Sequence, residues 1–105
     1  MALPEKLFKA DDELKVGSYT FKVIHVPGHS RSDSCFYCKE ENVIFTGDVL
    51  FSRSIGRTDL PEGNPIELIE NIHMKLMTLP ENTKIYAGHG EQSSIGAEKR
   101  ENPFL

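Results

Sequence analysis

Three short segments of the sequence place a residue that can bind a metal directly after a glycine. In each segment a strand-like run ends, and the glycine lets the backbone turn tightly and approach a ligand closely. Imidazole and carboxylate groups together suit zinc or iron, so His29, Asp48 and His89 are candidate ligands of one metal site. Spacing alone leaves this open, because each histidine also fits an ordinary loop position. The segments are Val26-Pro27-Gly28-His29, Phe45-Thr46-Gly47-Asp48 and Tyr86-Ala87-Gly88-His89-Gly90.

The remaining histidines and the two cysteines are weaker candidates for chemistry. His25 lies in a predicted strand and His73 in a predicted helix, where a packing or surface role is the simpler interpretation. Cys35 and Cys38 form a C-x-x-C pair, a spacing found in redox sites and zinc knuckles. Their segment reads as a strand, in which positions three apart point to opposite faces. We therefore predict two reduced cysteines that share no site.

The elements that must position these residues follow from hydrophobic periodicity and turn residues. Strand-like patterns cover residues 14–16, 20–26, 35–39, 43–46 and 84–87. Gly17-Ser18 and Glu40-Glu41-Asn42 are typical of hairpin turns. The first ten residues are predicted to be a loose or edge segment. Residues 47–63 are predicted to form one long, glycine-rich loop, a kind of loop that often carries function.

Two helices complete the pattern. Apolar residues at helical spacing predict a helix over residues 65–79, with Asn64 as N-cap, Pro65 at the first position and Pro80 as its end. Ser94 is predicted to cap a last helix that runs to Arg100. The order of the elements predicts an α/β fold in a single domain over residues 1–105, with a sheet that carries helices on one face.

Composition excludes several classes of partner. Lysine and arginine total 12 against 16 acidic residues in 105, a formal charge of −4, and no basic run is present. This argues against nucleic acid or an anionic membrane surface as the main partner. No apolar stretch approaches the roughly 20 residues that span a bilayer. The N-terminal residues contain no segment that resembles a signal peptide, so we expect a cytoplasmic protein.

Five segments, taken together, resemble the C-terminal half of the metallo-β-lactamase superfamily, in the branch related to glyoxalase II (hydroxyacylglutathione hydrolase). They occur in the family's order and spacing. The resemblance implies half of an αβ/βα sandwich, with one mixed β-sheet and helices on one face. It also implies that His29 binds the first metal, Asp48 bridges both metals and His89 binds the second. The segments are HVPGHS (25–30), IFTGDVLF (44–51), SIGRTDLP (54–61), YAGHGE (86–91) and IGAEKRENPFL (95–105).

The resemblance further implies a reaction. In such enzymes the metal pair, expected here to be zinc with iron or manganese as alternatives, turns a bridging water into hydroxide near neutral pH and polarises the substrate carbonyl. The implied activity is hydrolysis of a thioester such as acylated glutathione, with Asp48 as the catalytic residue that can accept a hydrogen bond from the water. Within SIGRTDLP, Arg57 and Asp59 are interpreted either as a local ion pair or as a substrate contact.

One departure from the family pattern limits this implication. The chain contains no H-x-H-x-D-H motif, which in the family supplies most of the remaining ligands. His29 alone would hold the first metal, and Asp48 with His89 the second. Stable zinc sites usually have three or four protein ligands, so an isolated monomer is expected to bind zinc weakly and to be inactive.

The absent half also has a consequence for the sheet. Its inner face, expected to present Phe21, Val23, Phe36 and Phe45, would lie open, and an apolar face of that size is an interface or a liability. We therefore expect a homodimer or a pairing with a complementing N-terminal half. The competing hypothesis is a truncated, non-catalytic module that dimerises or binds a partner through the same face.

Overall fold

The computed structural model describes residues 12–29, 33–59, 63–88 and 90–105. Within these ranges the chain forms eight strands and two α-helices, and a π-helical turn over Ile72–Leu76 directly continues the first helix. No helix of the described ranges is long and apolar enough to cross a membrane. The elements are β1 Glu13–Val16, β2 Tyr19–His25, β3 Ser34–Cys38, β4 Val43–Gly47, β5 Leu50–Phe51, β6 Ser54–Ile55, α1 Pro65–Asn71, β7 Lys84–Ala87, β8 Ser93–Ser94 and α2 Ile95–Glu101.

The main sheet has six strands in the order β1-β2-β3-β4-β7-β8. Neighbours pair antiparallel except β4 and β7, which run parallel. A parallel pair requires a long crossover connection, and here the chain leaves β4 through the separate β5–β6 hairpin and α1 before it returns as β7. The α/β fold with one mixed sheet is therefore confirmed.

The core lies between one face of this sheet and the helices. The sheet contributes Cys35, Ile44 and Ile85, and all three side chains are shielded from solvent. Helical side chains recur at the spacing that places them on one buried stripe. This arrangement confirms helices on one face of the sheet. The helical members of the core are Leu68, Ile72, Leu76 and Ile95.

The opposite side of the sheet, which we call the aromatic face, carries Phe21, Phe36, Phe45 and Tyr86. Phe45 and Tyr86 are 44% and 37% exposed. The ring of Phe45 contacts Phe21 and Tyr86, with centroids 5.9 and 5.6 Å apart. The prediction of an open apolar face holds for Phe45, whereas Phe21 and Phe36 are half-buried. It is wrong for Val23, which is fully buried. Its short side chain lies between Phe21, two positions along the strand, and Phe36, its partner across the strand pair.

The cysteines confirm the simpler prediction. The side chains of Cys35 and Cys38 are both buried. Cys35 belongs to the core beneath the helices. Cys38 pairs with Val43 two positions beyond Phe36, on the side of the aromatic face. The pleat thus places the two thiols on opposite sides of the sheet, as the strand interpretation predicted.

The predicted helix starts are confirmed and one helix end is corrected. The side chain of Asn64 accepts a hydrogen bond from Glu67 N, and that of Ser94 accepts one from Ala97 N. The first helix was predicted to run to residue 79 but ends as an α-helix at Asn71 and as a π-turn at Leu76. A π-turn changes backbone hydrogen bonding without changing the residue types, so periodicity does not reveal it.

The prediction of one loop over residues 47–63 is wrong in part. It contains the β5–β6 hairpin, in which Leu50 pairs with Ile55 and Phe51 with Ser54. Leu50 is fully buried and anchors the hairpin to the core. Strands of two residues are too short to produce a recognisable alternation. The prediction for the first ten residues falls outside the described residues.

Candidate metal site

A cavity of about 690 Å³ opens where β4 ends and the β5–β6 hairpin begins. His29 and Asp48 both line it, so the structure brings these two predicted ligands to one place. His25 and His73 do not line it, which agrees with their expected packing or surface roles. The other lining residues belong to the hairpin and to the segment after β7: Phe51, Ser52, Arg53, Ser54, Ile55, Arg57, Gly90 and Glu91.

His89 lies outside the described residues, but both of its neighbours are described. Gly90 lines the cavity. The N–H of Gly88 donates to the carbonyl of Gly47 at 2.8 Å. A Cβ built on Gly88 would lie 3.3 Å from Asp48 Oδ1. Of the two residues that flank position 89, Gly90 therefore lines the cavity and Gly88 lies beside Asp48. The role of His89 as a ligand stays a prediction.

The segment that leads into His29 is held by the first helix. Gly28 has φ +136°, and a Cβ there would overlap the backbone of Leu68, so this position requires glycine. Three backbone carbonyls of the segment accept hydrogen bonds from residues in or next to the first helix. These hydrogen bonds hold the segment against the start of the helix and so position His29. The bonds run from Lys75 Nζ to His25 O (2.7 Å), from Asn71 Nδ2 to Pro27 O (3.1 Å) and from Asn64 N to Gly28 O (2.7 Å).

The ring of His29 is oriented by a backbone carbonyl. Nδ1 lies 2.7 Å from Arg57 O. A carbonyl oxygen only accepts, so Nδ1 carries the proton of this hydrogen bond, and Nε2 is the nitrogen left to bind a metal. A histidine that binds metal through one nitrogen usually donates the other N–H in this way. Gly56 permits the close approach, because a Cβ there would lie 3.1 Å from His29 Cβ and would overlap Asp48 O.

Asp48 is presented by a tight turn at the end of β4. The N–H of Val49 donates to the carbonyl of Thr46 at 3.0 Å, and Gly47 takes the left-handed φ of +53° that the turn needs. The buried hydroxyl of Thr46 donates to Leu50 O at 2.7 Å and so fixes the turn from below. Asp48 itself is exposed to the cavity, where its carboxylate is available to a ligand.

The donor atoms in the cavity are of types that bind metals, but the described residues supply too few of them for a stable site. Imidazole nitrogen from His29 and carboxylate oxygen from Asp48 are donors that zinc and iron both accept. Within the described ranges, however, no group of three or more His, Cys, Asp or Glu side chains could hold a metal ion. A stable site therefore needs further ligands, either from His89 or from another chain segment.

Arg57 and Asp59 form the local ion pair that was one interpretation of their segment. Arg57 Nε and Nη2 donate to the two carboxylate oxygens of Asp59 at 3.1 and 3.2 Å. This hydrogen bonding lowers the pKa of Asp59 and raises the pKa of Arg57. Arg57 also lines the cavity, so a contact with substrate stays a prediction.

The hydrogen bonds that support the β5–β6 hairpin were not predicted from the sequence. Glu98 in α2 is only 1% exposed, and its carboxylate accepts from Arg53 N at 2.8 Å, from Asn102 Nδ2 at 2.9 Å and from the hydroxyl of Ser93. Asn102 also donates to Ser54 O at 3.1 Å. The sequence does indicate that Glu98 is buried, because it lies three residues after the buried Ile95 and so on the apolar face of the same helix.

Comparison with known proteins places the chain in a family. The family model for the metallo-beta-lactamase superfamily matches residues 2–89. A Haemophilus influenzae protein described as a hydroxyacylglutathione hydrolase is 46% identical over 104 residues, covering 98% of this chain and 49% of that protein. The crystal structure of BLEG-1, a B3 metallo-beta-lactamase, superposes with a TM-score of 0.88 at 46% identity over 93% of this chain and 47% of its own. TTHA1623, solved in a di-iron-bound form, gives 0.83 at 38% identity over 93% and 47%.

The chain belongs to the metallo-β-lactamase superfamily, and it is similar to a relative described as a hydroxyacylglutathione hydrolase. This confirms the family predicted from the five segments. The chain spans about half the length of the curated relatives it matches. TTHA1623 was solved in a di-iron-bound form, so iron is a metal found among the structures that this chain resembles.

Proposed function

We propose that the chain contributes one half of a metal-dependent thioester hydrolase. The observation that carries this proposal is the single cavity shared by His29 and Asp48, with the His29 ring oriented through Nδ1 by Arg57 O. Gly90, directly after His89, lines the same cavity, and a Cβ built on Gly88, directly before it, would lie 3.3 Å from Asp48 Oδ1. The description of a 46% identical relative as a hydroxyacylglutathione hydrolase supports an acylated thiol as the substrate class.

Each residue has a proposed role. His29 Nε2 would hold the first metal, the Asp48 carboxylate both metals, and His89 the second; zinc is the proposed metal, with iron or manganese as alternatives. When bound, the metals supply a water nucleophile near neutral pH and polarise the thioester carbonyl. Asp48 also accepts a hydrogen bond from the attacking water and so orients it toward the carbonyl carbon. The bond from Nδ1 to Arg57 O keeps the His29 ring in the orientation that binding needs.

The test of the metal role uses substitutions that preserve shape. Isothermal titration calorimetry of the purified chain with zinc should show weak binding. The Asp48→Asn variant should lose this binding. Glu70→Gln, an exposed carboxylate on α1, is the matched control and should bind as the unaltered chain does. Zinc binding unaffected by Asp48→Asn would contradict the proposed site.

We also propose that the remaining ligands arrive on the aromatic face. Phe45 and Tyr86 expose large aromatic surface there, and the core of the described chain lies on the other side of the sheet. Solved relatives that superpose on nearly the whole chain are about twice its length. A complementing N-terminal half is therefore the proposed partner, and a homodimer through the same face is the alternative.

A mixing experiment tests the partner and the activity together. The N-terminal half of the Haemophilus influenzae relative, produced as a separate polypeptide, should form a one-to-one complex with this chain. Zinc binding should tighten, and hydrolysis of S-lactoylglutathione should appear and disappear again with Asp48→Asn. A one-to-one complex that binds no metal and cleaves no thioester would instead favour the non-catalytic binding module. Self-association of this chain without the added half would favour the homodimer.

A further inference from the structure

The β5–β6 hairpin runs from the candidate metal site to a charged tip. Its base is closed by the bond from Gly56 N to Val49 O at 2.9 Å, next to Asp48. Two residue pairs follow, and the turn at the tip contains Arg53. At about 3.3 Å per residue, the tip lies roughly 10 Å along the hairpin from its base. Asp48, next to the base of the hairpin, and Arg53, at its tip, both line the cavity.

Arg53 is held in a backbone conformation that its residue type disfavours. Its φ is +60°, in the left-handed region that glycine and asparagine adopt far more readily than arginine. The buried carboxylate of Glu98 accepts the Arg53 N–H at 2.8 Å and so fixes this conformation from below. Strained residues that the surrounding structure holds in place cluster at functional sites. We therefore expect the side chain of Arg53 to have a function that offsets its disfavoured backbone conformation.

The charge of Arg53 is less neutralised than that of its neighbour in the cavity. Arg57 makes two hydrogen bonds to the carboxylate of Asp59. Arg53 Nη2 lies 3.6 Å from Glu101 Oε2, too far for a hydrogen bond, and its side chain is 70% exposed. The Arg53 guanidinium thus retains donors for an anion at the cavity rim, and its planar fork matches a carboxylate.

We propose that Arg53 binds a carboxylate of the substrate, about 10 Å along the hairpin from the bond that is cleaved. Glu98 is the positioning residue that holds Arg53 at this distance. The inference rests on the proposed thioester hydrolysis for the location of the scissile bond. The hairpin then selects substrates by the separation between their thioester and their distal carboxylate.

The test measures binding without metal and without turnover. The probes are S-methylglutathione, a thioether that cannot be hydrolysed at this bond, and its dimethyl ester, which lacks both carboxylates. Nuclear magnetic resonance titration of the purified chain should show the acid binding about five- to tenfold more tightly than the ester, the range expected for a partly exposed charge-assisted hydrogen bond. Arg53→Asn should abolish this preference, because asparagine accepts the backbone conformation but carries no charge.

Two further variants separate specificity from folding. Arg100→Gln removes an equal charge from an exposed arginine outside the cavity and should keep the preference for the acid. Glu98→Gln retains an acceptor for Arg53 N–H and should keep it as well. Glu98→Ala leaves that N–H without its acceptor, so the preference should fall and the Arg53 amide should exchange faster with solvent. Should Glu98→Ala fail to fold, Arg53→Asn alone still decides the inference.

Three results would overturn the inference: equal affinity of the unaltered chain for acid and ester, no binding of either probe, or a preference that survives Arg53→Asn. Failure of the proposed function looks different. A chain that prefers the acid through Arg53 but never cleaves thioesters in the completed complex would contradict the hydrolase alone. Thioester cleavage that is insensitive to Arg53→Asn would contradict the role of Arg53 alone.

Discussion

His29 and Asp48 were predicted from the sequence as candidate ligands because each follows a glycine after a strand. The glycines are required by geometry, which explains why this pattern carried information: Gly28 packs on the backbone of Leu68, and Gly47 adopts a left-handed turn. The partner of His29 Nδ1 could not be found in the same way. It is a backbone carbonyl 28 positions along the chain, and every residue type has one.

Gly56→Ala should disturb the candidate site directly. The added Cβ would overlap Asp48 O and press on His29 Cβ, so we expect a loss of about 2 kcal/mol or more in the free energy of unfolding by urea. Gly17→Ala is the control, because a Cβ there meets open space and only the φ of +62° opposes it, at about 1 kcal/mol. Equal losses in the two variants would show that Gly56 does not pack against the site.

Asp59 should titrate below its ordinary pKa of 3.8, because Arg57 stabilises the charged carboxylate. A pKa lowered by folding means that the pair stabilises the fold above the unfolded pKa, and that this contribution is lost as the pH falls through the folded pKa. Carbon-detected nuclear magnetic resonance of the Asp59 carboxyl measures the midpoint. Arg57→Gln should return it toward the ordinary value, whereas Arg100→Gln should leave it unchanged. An unchanged midpoint in Arg57→Gln would contradict the assignment.

At the scale of elements, the sequence predicted the strands and helices that are long enough to show a periodic pattern of apolar residues. The strands of the main sheet, apart from β8, agree with their predictions to within one residue at each end, and the caps Asn64 and Ser94 mark both helix starts. The hairpin and the π-turn were not predicted. Burial of Leu50 and a hydrogen bond from Lys75 to a distant carbonyl stabilise them, and both are tertiary effects.

Lys75→Met should weaken the link between the π-turn and the segment that carries His29. Lys75 Nζ donates to His25 O at 2.7 Å in a half-buried position, so its removal should cost about 1.5 kcal/mol in the free energy of unfolding. Lys99→Met is the matched control, since Lys99 makes only an exposed ion pair with Glu81 at 3.7 Å and should change stability by about 0.5 kcal/mol or less. Amide exchange near residue 28 should quicken in the first variant alone. Similar losses of stability in both would argue against this link.

At the scale of the whole molecule, the alternation of residues in β2, β3 and β4 predicted an apolar face opposite the helices. The prediction succeeded for Phe45, which is 44% exposed, and in part for the half-buried Phe21 and Phe36. It failed for Val23, because exposure depends on the size of adjacent side chains as well as on the face. A single chain also carries no sign of what covers such a face, which is why the partner is a proposal.

Phe45→Ser should reduce association through the aromatic face. Phe45 contacts both Phe21 and Tyr86 on this face and is 44% exposed, so we expect it to be a central anchor for a docked partner. Sedimentation velocity should show less complex with the N-terminal half of the Haemophilus influenzae relative, by about tenfold in affinity for a central aromatic anchor. Met74→Ser, a substitution at an apolar side chain that is 69% exposed on the π-turn, should leave association unchanged. An equal response to both substitutions would point to nonspecific adhesion.

The separation of the two thiols by the pleat gives the molecule a reporter for each side of its sheet. Alkylation of Cys35 requires the helical layer to lift, whereas alkylation of Cys38 requires opening on the aromatic side. A molecule that docks on the aromatic rings should therefore slow the chemistry of one sulfur and spare the other. The relative rates of two native side chains would then tell which side of the protein has been covered, with no label added.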